Sequence, residues 1–438
     1  MHNLALALHE KGDVVSGSDD AIFEPSKSRL EDKGLLPESI GWFAEKINTE
    51  LDAIILGMHA KADNPELIKA QELGIKIFSY PEFLYEHAKN KTRVVIGGSH
   101  GKTTITSMIL HVLNYHGIAV DYMVGAQLDG FDRMVHLTDE NEIMILEGDE
   151  YLSSPIDLRP KFHLYHANIA LISGIAWDHI NVFPTFDNYV DQFRIFTDTM
   201  VKGGMMVYNE EDPEVKIVVE ETSNEIKKYP YRTPYYMIEN GQTMLETSEG
   251  PIPLEVFGKH NLQNLEGARS ICFHLGVSEE DFYEGIADFS GASKRLEKIA
   301  ENDSTVIYKD FAHSPSKVEA TTKAVREQYA GRKLLACLEL HSYSSLNEDF
   351  LKEYVGALDP ADKAVVFYSP HAVKIKRLKE VSADQIAKAF QRDDLIIYTD
   401  PAAFKEFLFS KDLKDTAVLL MSSGNYGGLD FEDVKSLV

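Results

Sequence analysis

The feature that most constrains this chain is a glycine loop between a short apolar strand and an amphipathic helix. The β-branched run Val94–Ile96 leads into the loop, which reads in order Gly97, Gly98, Ser99, His100, Gly101, Lys102, Thr103 and Thr104. Apolar residues then recur at helical spacing over 105–115. In such a loop backbone N–H groups and the helix N-terminus face a phosphate, a lysine adds positive charge, and a threonine hydroxyl can hold Mg²⁺. The usual motif has its first glycine where Ile96 stands here, so this loop is compressed; it nevertheless predicts a nucleotide-phosphate site.

Length and charge limit the possible partners. At 438 residues the chain can hold two or three domains, each with its own core. A net charge of −26 repels phosphate-rich surfaces, so we expect no nucleic acid and no membrane as a partner. Cys272 and Cys337 both lie in apolar runs, which predicts buried free thiols and a cytoplasmic protein. We expect a monomer or a weak homo-oligomer that acts on small molecules.

The first 90 residues predict a small α/β domain. Met1–His9 has the pattern of a helix, and Val14–Asp19 that of a strand running into a turn. Two further strands, 53–57 and 76–78, flank a helix at 64–74, which indicates a parallel, Rossmann-like sheet. Such a sheet normally begins with a strand and a glycine-rich loop, whereas this chain begins on a helix. We therefore expect either that the domain is unusual or that a first strand and loop are missing before Met1.

Residues 91–291 predict the central domain. The strand 142–146 ends in Glu147, Gly148, Asp149 and Glu150, and carboxylates at this end of a strand are suited to a second Mg²⁺ ligand. Another buried strand precedes His179, which could bind a metal or a phosphate. Residues 229–256 predict a small antiparallel sheet. Asn261 and Asn264, three apart at a helix start, could bracket a purine with their amides, or could simply cap the helix.

Residues 292–438 predict a third domain, again α/β. Five apolar strands alternate with helical patterns, at 305–308, 333–338, 364–368, 395–398 and 417–421. Polar loops follow three of these strands, at 310–315, 340–343 and 422–428. Because the carboxyl ends of parallel strands share one edge of a sheet, the three loops predict a binding edge.

The order and spacing of these motifs resemble those of the Mur ligases, ATP-dependent enzymes that form amide bonds in peptidoglycan synthesis. The matching segments are 98–104, 147–150, 177–179, 258–264, 294–297 and 310–315, and they extend over nearly the whole chain. The compressed glycine loop is itself typical of that family. Some members carry a carbamylated lysine fifteen residues after the histidine; Arg194 stands there, so we do not expect this modification.

The resemblance implies three domains: a Rossmann-like UDP-sugar domain, a central P-loop ATPase-like domain and a C-terminal Rossmann-like domain. It implies ATP and Mg²⁺, with catalytic roles for Lys102, Glu147, His179 and Arg295. The metal would be held by Thr103, Glu147 and His179. The nucleotide would be bound by Gly98, Ser99, His100, Gly101, Lys102, Thr103, Thr104, His260, Asn261, Asn264, Arg295, Asp310 and His313.

Two branches of that family start from UDP-N-acetylmuramate. One adds L-alanine, and the other, the murein peptide ligases, adds the tripeptide L-Ala-γ-D-Glu-meso-diaminopimelate. Segments 156–165 and 421–428 resemble the tripeptide branch, which we therefore favour. ATP would convert the sugar's carboxylate into an acyl phosphate, whose phosphate leaves when the amine attacks. The alanine ligase remains an alternative, as does, from another class, a P-loop ATPase or nucleotide switch without ligase activity.

Overall fold

The chain folds into three α/β domains in sequence order. The structure, a computed structural model, describes residues 1–438 except 59, 127–130, 132, 240, 293–294, 377–378 and 380, and it leaves out the side chains at 372 and 375. The described sheets lie in the ranges 53–79, 92–254 and 297–421. The boundaries 1–90, 91–291 and 292–438 remain predictions, and each of these sheets lies inside one of them.

The N-terminal domain is small. Its elements are α1 (His2–Lys11), α2 (Ser26–Glu31), a 3₁₀ turn (Ala44–Lys46), β1 (Ala53–Leu56), α3 (Pro65–Leu73), β2 (Lys76–Ser79) and α4 (Tyr80–Ala88). β1 and β2 pair in parallel, as predicted. Helix α3 begins where Asn64 accepts backbone hydrogen bonds, and it ends at left-handed Gly74, so local capping sets both of its ends.

One strand prediction in this domain is wrong. Residues 14–18 form no strand, and Val14 is fully exposed. The apolar pair Val14–Val15 resembles a strand locally, but no neighbouring strand pairs with it. Only Asp19 forms an isolated bridge, to Gly41. A short apolar run without a partner therefore stays irregular.

The central domain is built on a seven-stranded sheet. Its elements are β3 (Thr92–Gly97), α5 (Lys102–Tyr115), β4 (Asp121–Met123), β5 (Val135–His136), β6 (Ile143–Glu147), β7 (Leu152–Ser154), β8 (Asp157–Pro160), a 3₁₀ turn (Lys161–Leu164), β9 (Ile169–Ile172), α6 (Phe186–Thr199), β10 (Met205–Asn209), α7 (Pro213–Glu221), β11 (Lys227–Tyr231), β12 (Tyr236–Glu239), β13 (Gln242–Thr247), β14 (Gly250–Leu254), α8 (Lys259–His274) and α9 (Glu279–Ile286). The order is β11-β10-β9-β3-β6-β4-β5, and only β5 is antiparallel to its neighbour.

Strand β3 lies at the centre of this sheet, and that position decides where its loop opens. Val95 packs into the core beneath α6 and α7, whereas Val94 and Ile96 pack beneath α5 and α8. Helices therefore cover both faces, which explains why the strand is continuously apolar. The carboxyl end of β3 lies between the ends of β6 and β9, so Glu147 and Ser173 flank the glycine loop.

The predicted antiparallel excursion is confirmed over β12–β14, but its first residues belong elsewhere. Tyr229 and Tyr231 lie in β11, which extends the main sheet in parallel beside β10. The alternating pattern of residues 229–256 did not distinguish an edge strand of the main sheet from the small sheet that follows it.

The C-terminal domain contains a six-stranded sheet. Its elements are β15 (Glu297–Glu301), β16 (Thr305–Asp310), α10 (Pro315–Gln328), β17 (Lys333–Leu340), two 3₁₀ turns (Ser344–Leu346 and Leu351–Tyr354), β18 (Lys363–Tyr368), α11 (Pro370–Ile375), α12 (Ala383–Phe390), β19 (Ile396–Tyr398), α13 (Pro401–Phe409), β20 (Thr416–Met421) and α14 (Phe431–Lys435). The order is β15-β16-β20-β17-β18-β19. All five predicted strands are present, and the polar, antiparallel edge strand β15 was not predicted.

The C-terminal domain contacts the central domain. Trp177 of the central domain packs against Phe350, with ring centroids 5.9 Å apart. On α10, Gln328 accepts a hydrogen bond from Thr243 of the small sheet at 2.9 Å. These contacts join the two domains at two separate places. Across the described part of the chain, no helix has the length and apolar character needed to cross a membrane.

Candidate nucleotide site

The glycine loop takes a conformation that needs its glycines. Gly98 has φ 134° and Gly101 has φ 78°, both in the left-handed region. A Cβ added to Gly98 would lie 2.1 Å from Ser173 Oγ, and one added to Gly101 would lie 2.4 Å from Asn264 Oδ1. The loop therefore packs closely on its own domain and leads directly into α5, whose first N–H groups have no partner within the helix.

Lys102 lies at the mouth of this loop. Its Nζ donates to Gly98 O and to Glu150 Oε2, both at 2.5 Å. The Lys102 side chain is 14% exposed and that of Glu150 only 1%. Burial acts to lower the pKa of Lys102, but Glu150 and Asp149 outweigh it and raise that pKa. The amine is therefore held protonated beside the carbonyl of its own loop.

A hydroxyl and a carboxylate meet just inside the loop. Thr103 Oγ1 donates to Glu147 Oε1 at 2.9 Å, and the N–H of Gly125 donates to Glu147 Oε2 at 2.8 Å. Both side chains are buried. Among the described residues no group of three or more His, Cys, Asp and Glu side chains forms a ready metal cluster. One carboxylate and one hydroxyl fit Mg²⁺, which keeps waters and takes further oxygens from phosphates.

Glu150 connects the lysine to His179. His179 Nε2 lies 3.7 Å from Glu150 Oε1, and the same carboxylate oxygen accepts from Tyr189 at 3.0 Å. His179 has φ 54°, a conformation that a non-glycine residue seldom adopts, and its backbone N–H donates to Asp178 Oδ1 at 2.7 Å. The strained backbone directs this partly exposed imidazole towards the lysine site.

The remaining loop residues are tied to the strands beside them. Ser99 Oγ accepts from the N–H of Ala176 at 2.9 Å and bonds to Tyr189 at 2.8 Å. His100 packs on Gly174, where a Cβ would lie 2.3 Å from its ring. Burial, and then nearby Lys317 and Lys102, lower the pKa of His100 to about 3. Thr104 is buried in the first turn of α5.

The predicted amide pair on α8 is divided between two partners. Asn264 lies against the loop at Gly101, whereas Asn261 Nδ2 donates to Phe257 O at 2.9 Å. Both asparagines are buried. His260 is close enough to His100 to affect its pKa. One amide therefore packs against the phosphate loop, whereas the other bonds to the carbonyl of Phe257 just before its own helix without capping it, and their contact with adenine remains a prediction.

The predicted C-terminal residues lie together. Asp310 ends β16 and accepts from the N–H of Leu296 at 2.6 Å and of Ala312 at 2.5 Å, so its carboxylate shapes the loops around it. The Arg295 guanidinium lies 4.8 Å from the centre of the Phe311 ring. The pKa of His313 is lowered to about 4, chiefly because the ring is buried. Lys294, in the same motif, lies outside the described residues. Arg194, where a modified lysine was not expected, pairs with Asp191 on the surface.

Sequence reasoning missed several participants. Glu150 was predicted only as one of several carboxylates that suit Mg²⁺, whereas it is the partner of Lys102. Lys161 pairs with Asp149 at 2.5 Å. Burial acts to raise the pKa of Asp149, but the positive charges of Lys161 and Lys102 outweigh it and lower that pKa to about 2. Lys317 lies 3.8 Å from Asp178 across two domains. The acidic turn itself was a signal for Glu150, but the chain offers no local signal for Lys317.

Sequence models of known protein families match three consecutive parts of the chain. Residues 1–92 match the model described as Mur ligase family, catalytic domain; residues 96–272 match the Mur ligase middle domain; and residues 294–424 match the Mur ligase, glutamate ligase domain. The three models together account for most of the chain, and their order is that of the three domains described above.

Individual relatives and solved structures are also named as ligases of this family. A UDP-N-acetylmuramate–L-alanine ligase of Carboxydothermus hydrogenoformans is 28% identical over 90% of this chain and 84% of that relative. A UDP-N-acetylmuramate–L-alanyl-γ-D-glutamyl-meso-2,6-diaminoheptandioate ligase of Haemophilus influenzae is 25% identical over 98% and 95%. The crystal structure of a murein peptide ligase from Psychrobacter arcticus is similar to this structure, with a TM-score of 0.67 at 20% identity. The match covers all of this chain and 96% of the Psychrobacter chain. The chain therefore belongs to the Mur ligase family of ATP-dependent, amide-forming enzymes.

Proposed function

We propose that this enzyme joins the carboxylate of UDP-N-acetylmuramate to the amine of L-Ala-γ-D-Glu-meso-diaminopimelate, converting ATP to ADP and phosphate. The observation that carries the proposal is the buried Lys102 amine at the mouth of the glycine loop, held by Gly98 O and Glu150 and adjacent to the Thr103–Glu147 pair. A lysine, a hydroxyl and a carboxylate arranged around the N-terminus of a helix suit the transfer of a terminal phosphate.

The residues have distinct roles in this proposal. A carboxylate forms an amide only after one of its oxygens becomes a good leaving group, which phosphorylation achieves. Lys102 and Arg295 would stabilise charge on the transferring phosphoryl oxygens. Thr103, Glu147 and His179 would hold Mg²⁺, which supplies further charge stabilisation when bound. Asp310 and His313 would complete the site from the C-terminal domain, and closure of that domain would keep water out.

The choice of amine rests on two segments. The loop 421–428, which resembles the tripeptide branch, is fastened to buried Glu339 of β17: Tyr426 N donates to Glu339 Oε2 at 2.8 Å, and Ser422 Oγ donates to the same oxygen. The N–H of Ser422 donates to Asp310 O at 2.9 Å. This loop therefore adjoins the proposed C-terminal part of the site, where the amine would be recognised. Segment 156–165 supplies the second resemblance.

A second candidate is the L-alanine-adding activity. The relative from Carboxydothermus carries that name and is slightly more similar in sequence than the Haemophilus tripeptide ligase. Both candidates share the sugar substrate and the ATP chemistry, so only the amine distinguishes them.

An assay of ADP release tests these alternatives. The enzyme is given ATP, Mg²⁺ and UDP-N-acetylmuramate with the tripeptide, with L-alanine or with neither. We expect rapid release with the tripeptide and a background rate with the other two. Release with L-alanine alone would establish the second candidate. ADP release at the same rate when both the sugar and the amine are omitted would indicate an ATPase without ligase activity.

Glu147→Gln tests the metal site. The amide keeps an oxygen that can accept from Thr103 but loses the negative charge that attracts Mg²⁺. We expect ADP release to fall about 100-fold and the Mg²⁺ concentration for half-maximal activity to rise. Glu142→Gln, at the exposed residue just before the same strand, is the matched control and should behave like the parent enzyme. A slower variant with an unaltered Mg²⁺ requirement would exclude Glu147 as a ligand.

A further inference from the structure

Lys317 brings a positive charge from the C-terminal domain into the central site. It is the third residue of α10, and its Nζ lies 3.8 Å from Asp178 Oδ2, just before His179 in the central domain. The side chains are 22% and 9% exposed. This ion pair is therefore a largely enclosed link between two domains, at the point where the predicted site residues of both domains meet.

The pair with Asp178 leaves the lysine poorly satisfied. A separation of 3.8 Å is too long for a hydrogen bond, and among the described residues no hydrogen bond of the Lys317 amine is found. Asp178 meanwhile accepts the N–H of His179 through its other oxygen. An enclosed ammonium group has three donors and is stable only when acceptors surround it. This geometry is that of an amine that can bind a further anionic partner.

The surroundings of Lys317 identify that partner's chemistry. Lys102 and Arg295 are both close enough to lower the pKa of Lys317, to which burial contributes most. Three cationic side chains thus lie near one another, two from the C-terminal part of the chain and one from the glycine loop. An anion with several oxygens, such as the outermost phosphate of a nucleoside triphosphate, can accept from more than one of them at once.

We propose that Lys317 binds the terminal phosphate of the bound nucleotide, exchanging the loose pair with Asp178 for phosphate oxygens. The contact between Lys317 of the C-terminal domain and the nucleotide would then form only when the nucleotide carries its third phosphate. The inference depends on the proposed function, since it assumes that a nucleoside triphosphate occupies the glycine loop. A diphosphate, held by the loop itself, would not extend to Lys317.

Nucleotide affinity tests this assignment. Binding of ADP and of the non-hydrolysable triphosphate AMP-PNP, each with Mg²⁺, is measured by calorimetry for the parent enzyme, Lys317→Met, Lys317→Gln and Lys317→Arg. We expect the Met and Gln variants to lose about 10- to 100-fold in affinity for AMP-PNP and less than about twofold for ADP. Lys317→Arg should retain most of the affinity because its charge is kept.

The control is Lys323→Met on the same helix, where the lysine is 62% exposed and paired with Glu319. It should leave both affinities unchanged. If the Met and Gln variants bind AMP-PNP like the parent, or weaken ADP and AMP-PNP equally, Lys317 has a structural role only and the inference is overturned. If the parent itself binds neither nucleotide, the proposed function fails instead, so the two failures are distinguishable.

Discussion

Replacing Lys102 by methionine is expected to lower the rate of amine-dependent ADP release by about 10³-fold. The methionine keeps the length and most of the volume of the side chain but removes the ammonium group next to the phosphate loop. Removing one preorganised charge from a largely buried site affects the transition state far more than it would in water. Steady-state ADP release with saturating sugar and amine measures this loss.

Lys102→Met should also reduce stability, and that effect must be separated from catalysis. Glu150 is 1% exposed, and without Lys102 its charge keeps the hydroxyl of Tyr189 but loses its close ion pair, with His179 at 3.7 Å and Lys317 nearby as the other basic side chains that the structure describes around it. We expect the free energy of unfolding to fall by about 3 kcal/mol. Adding Glu150→Gln removes the unpaired charge and should recover most of the stability without recovering activity.

A second largely buried lysine provides the control. Lys91 Nζ donates to Asp121 Oδ2 and to Thr138 O, both at 2.6 Å, and Asp121 is fully buried. This pair joins the end of the α4 region to β4, away from the glycine loop. Asp121 keeps His87 at 2.9 Å in Lys91→Met, so this variant should lose stability, though less than Lys102→Met, while its active fraction keeps the parent rate. If both variants lost activity in proportion to stability, Lys102 would have no special part in the chemistry.

The glycine loop and its flanking strand and helix could be predicted because their signals are local. A buried central strand is continuously apolar, and left-handed turns at Gly98 and Gly101 exclude other residues. The five C-terminal strands were predictable for the same reason. Val14–Val15 has a similar local pattern but forms no strand, because pairing depends on a neighbour that the pattern does not contain.

The partners of the site residues could be predicted less well. Glu150 lies three residues beyond Glu147 in the same turn, and only the fold shows that the former contacts Lys102 and the latter Thr103. Asn261 and Asn264 share a helix face, yet the packing of α8 on α5 gives them different partners. Lys317 meets Asp178 from another domain, 139 positions along the chain. Such contacts depend on tertiary packing rather than on spacing.

Acid is expected to destabilise the enzyme partly through His163, a residue of the predicted tripeptide-branch segment that lies outside the nucleotide site. Its ring is buried, stacks on Phe162 with centroids 4.8 Å apart, and bonds through Nε2 to Gln192 O at 2.7 Å. Burial is the largest influence and lowers the pKa of His163 from 6.5 to about 4. The folded protein therefore resists protonation that the unfolded chain accepts.

The sign of the effect follows from this difference. Above pH 6.5 the imidazole is neutral in both states and its ionisation does not affect stability. As the pH falls from 6.5 towards 4, the unfolded state takes up a proton first, so the free energy of unfolding decreases by up to about 1.4 kcal/mol per pH unit. The total loss from this residue approaches about 3 kcal/mol below pH 4.

Two replacements that do not titrate isolate this contribution. His163→Gln can still donate to Gln192 O, whereas His163→Phe keeps the stacked ring and loses the hydrogen bond, so their stabilities at pH 7.5 should differ. Urea unfolding between pH 7.5 and 4.5 should nevertheless show the same shallower pH slope in both, reduced by about one proton relative to the parent. Because packing changes shift such curves without tilting them, slopes parallel to that of the parent would mean that His163 takes up its proton equally readily in the folded and unfolded states.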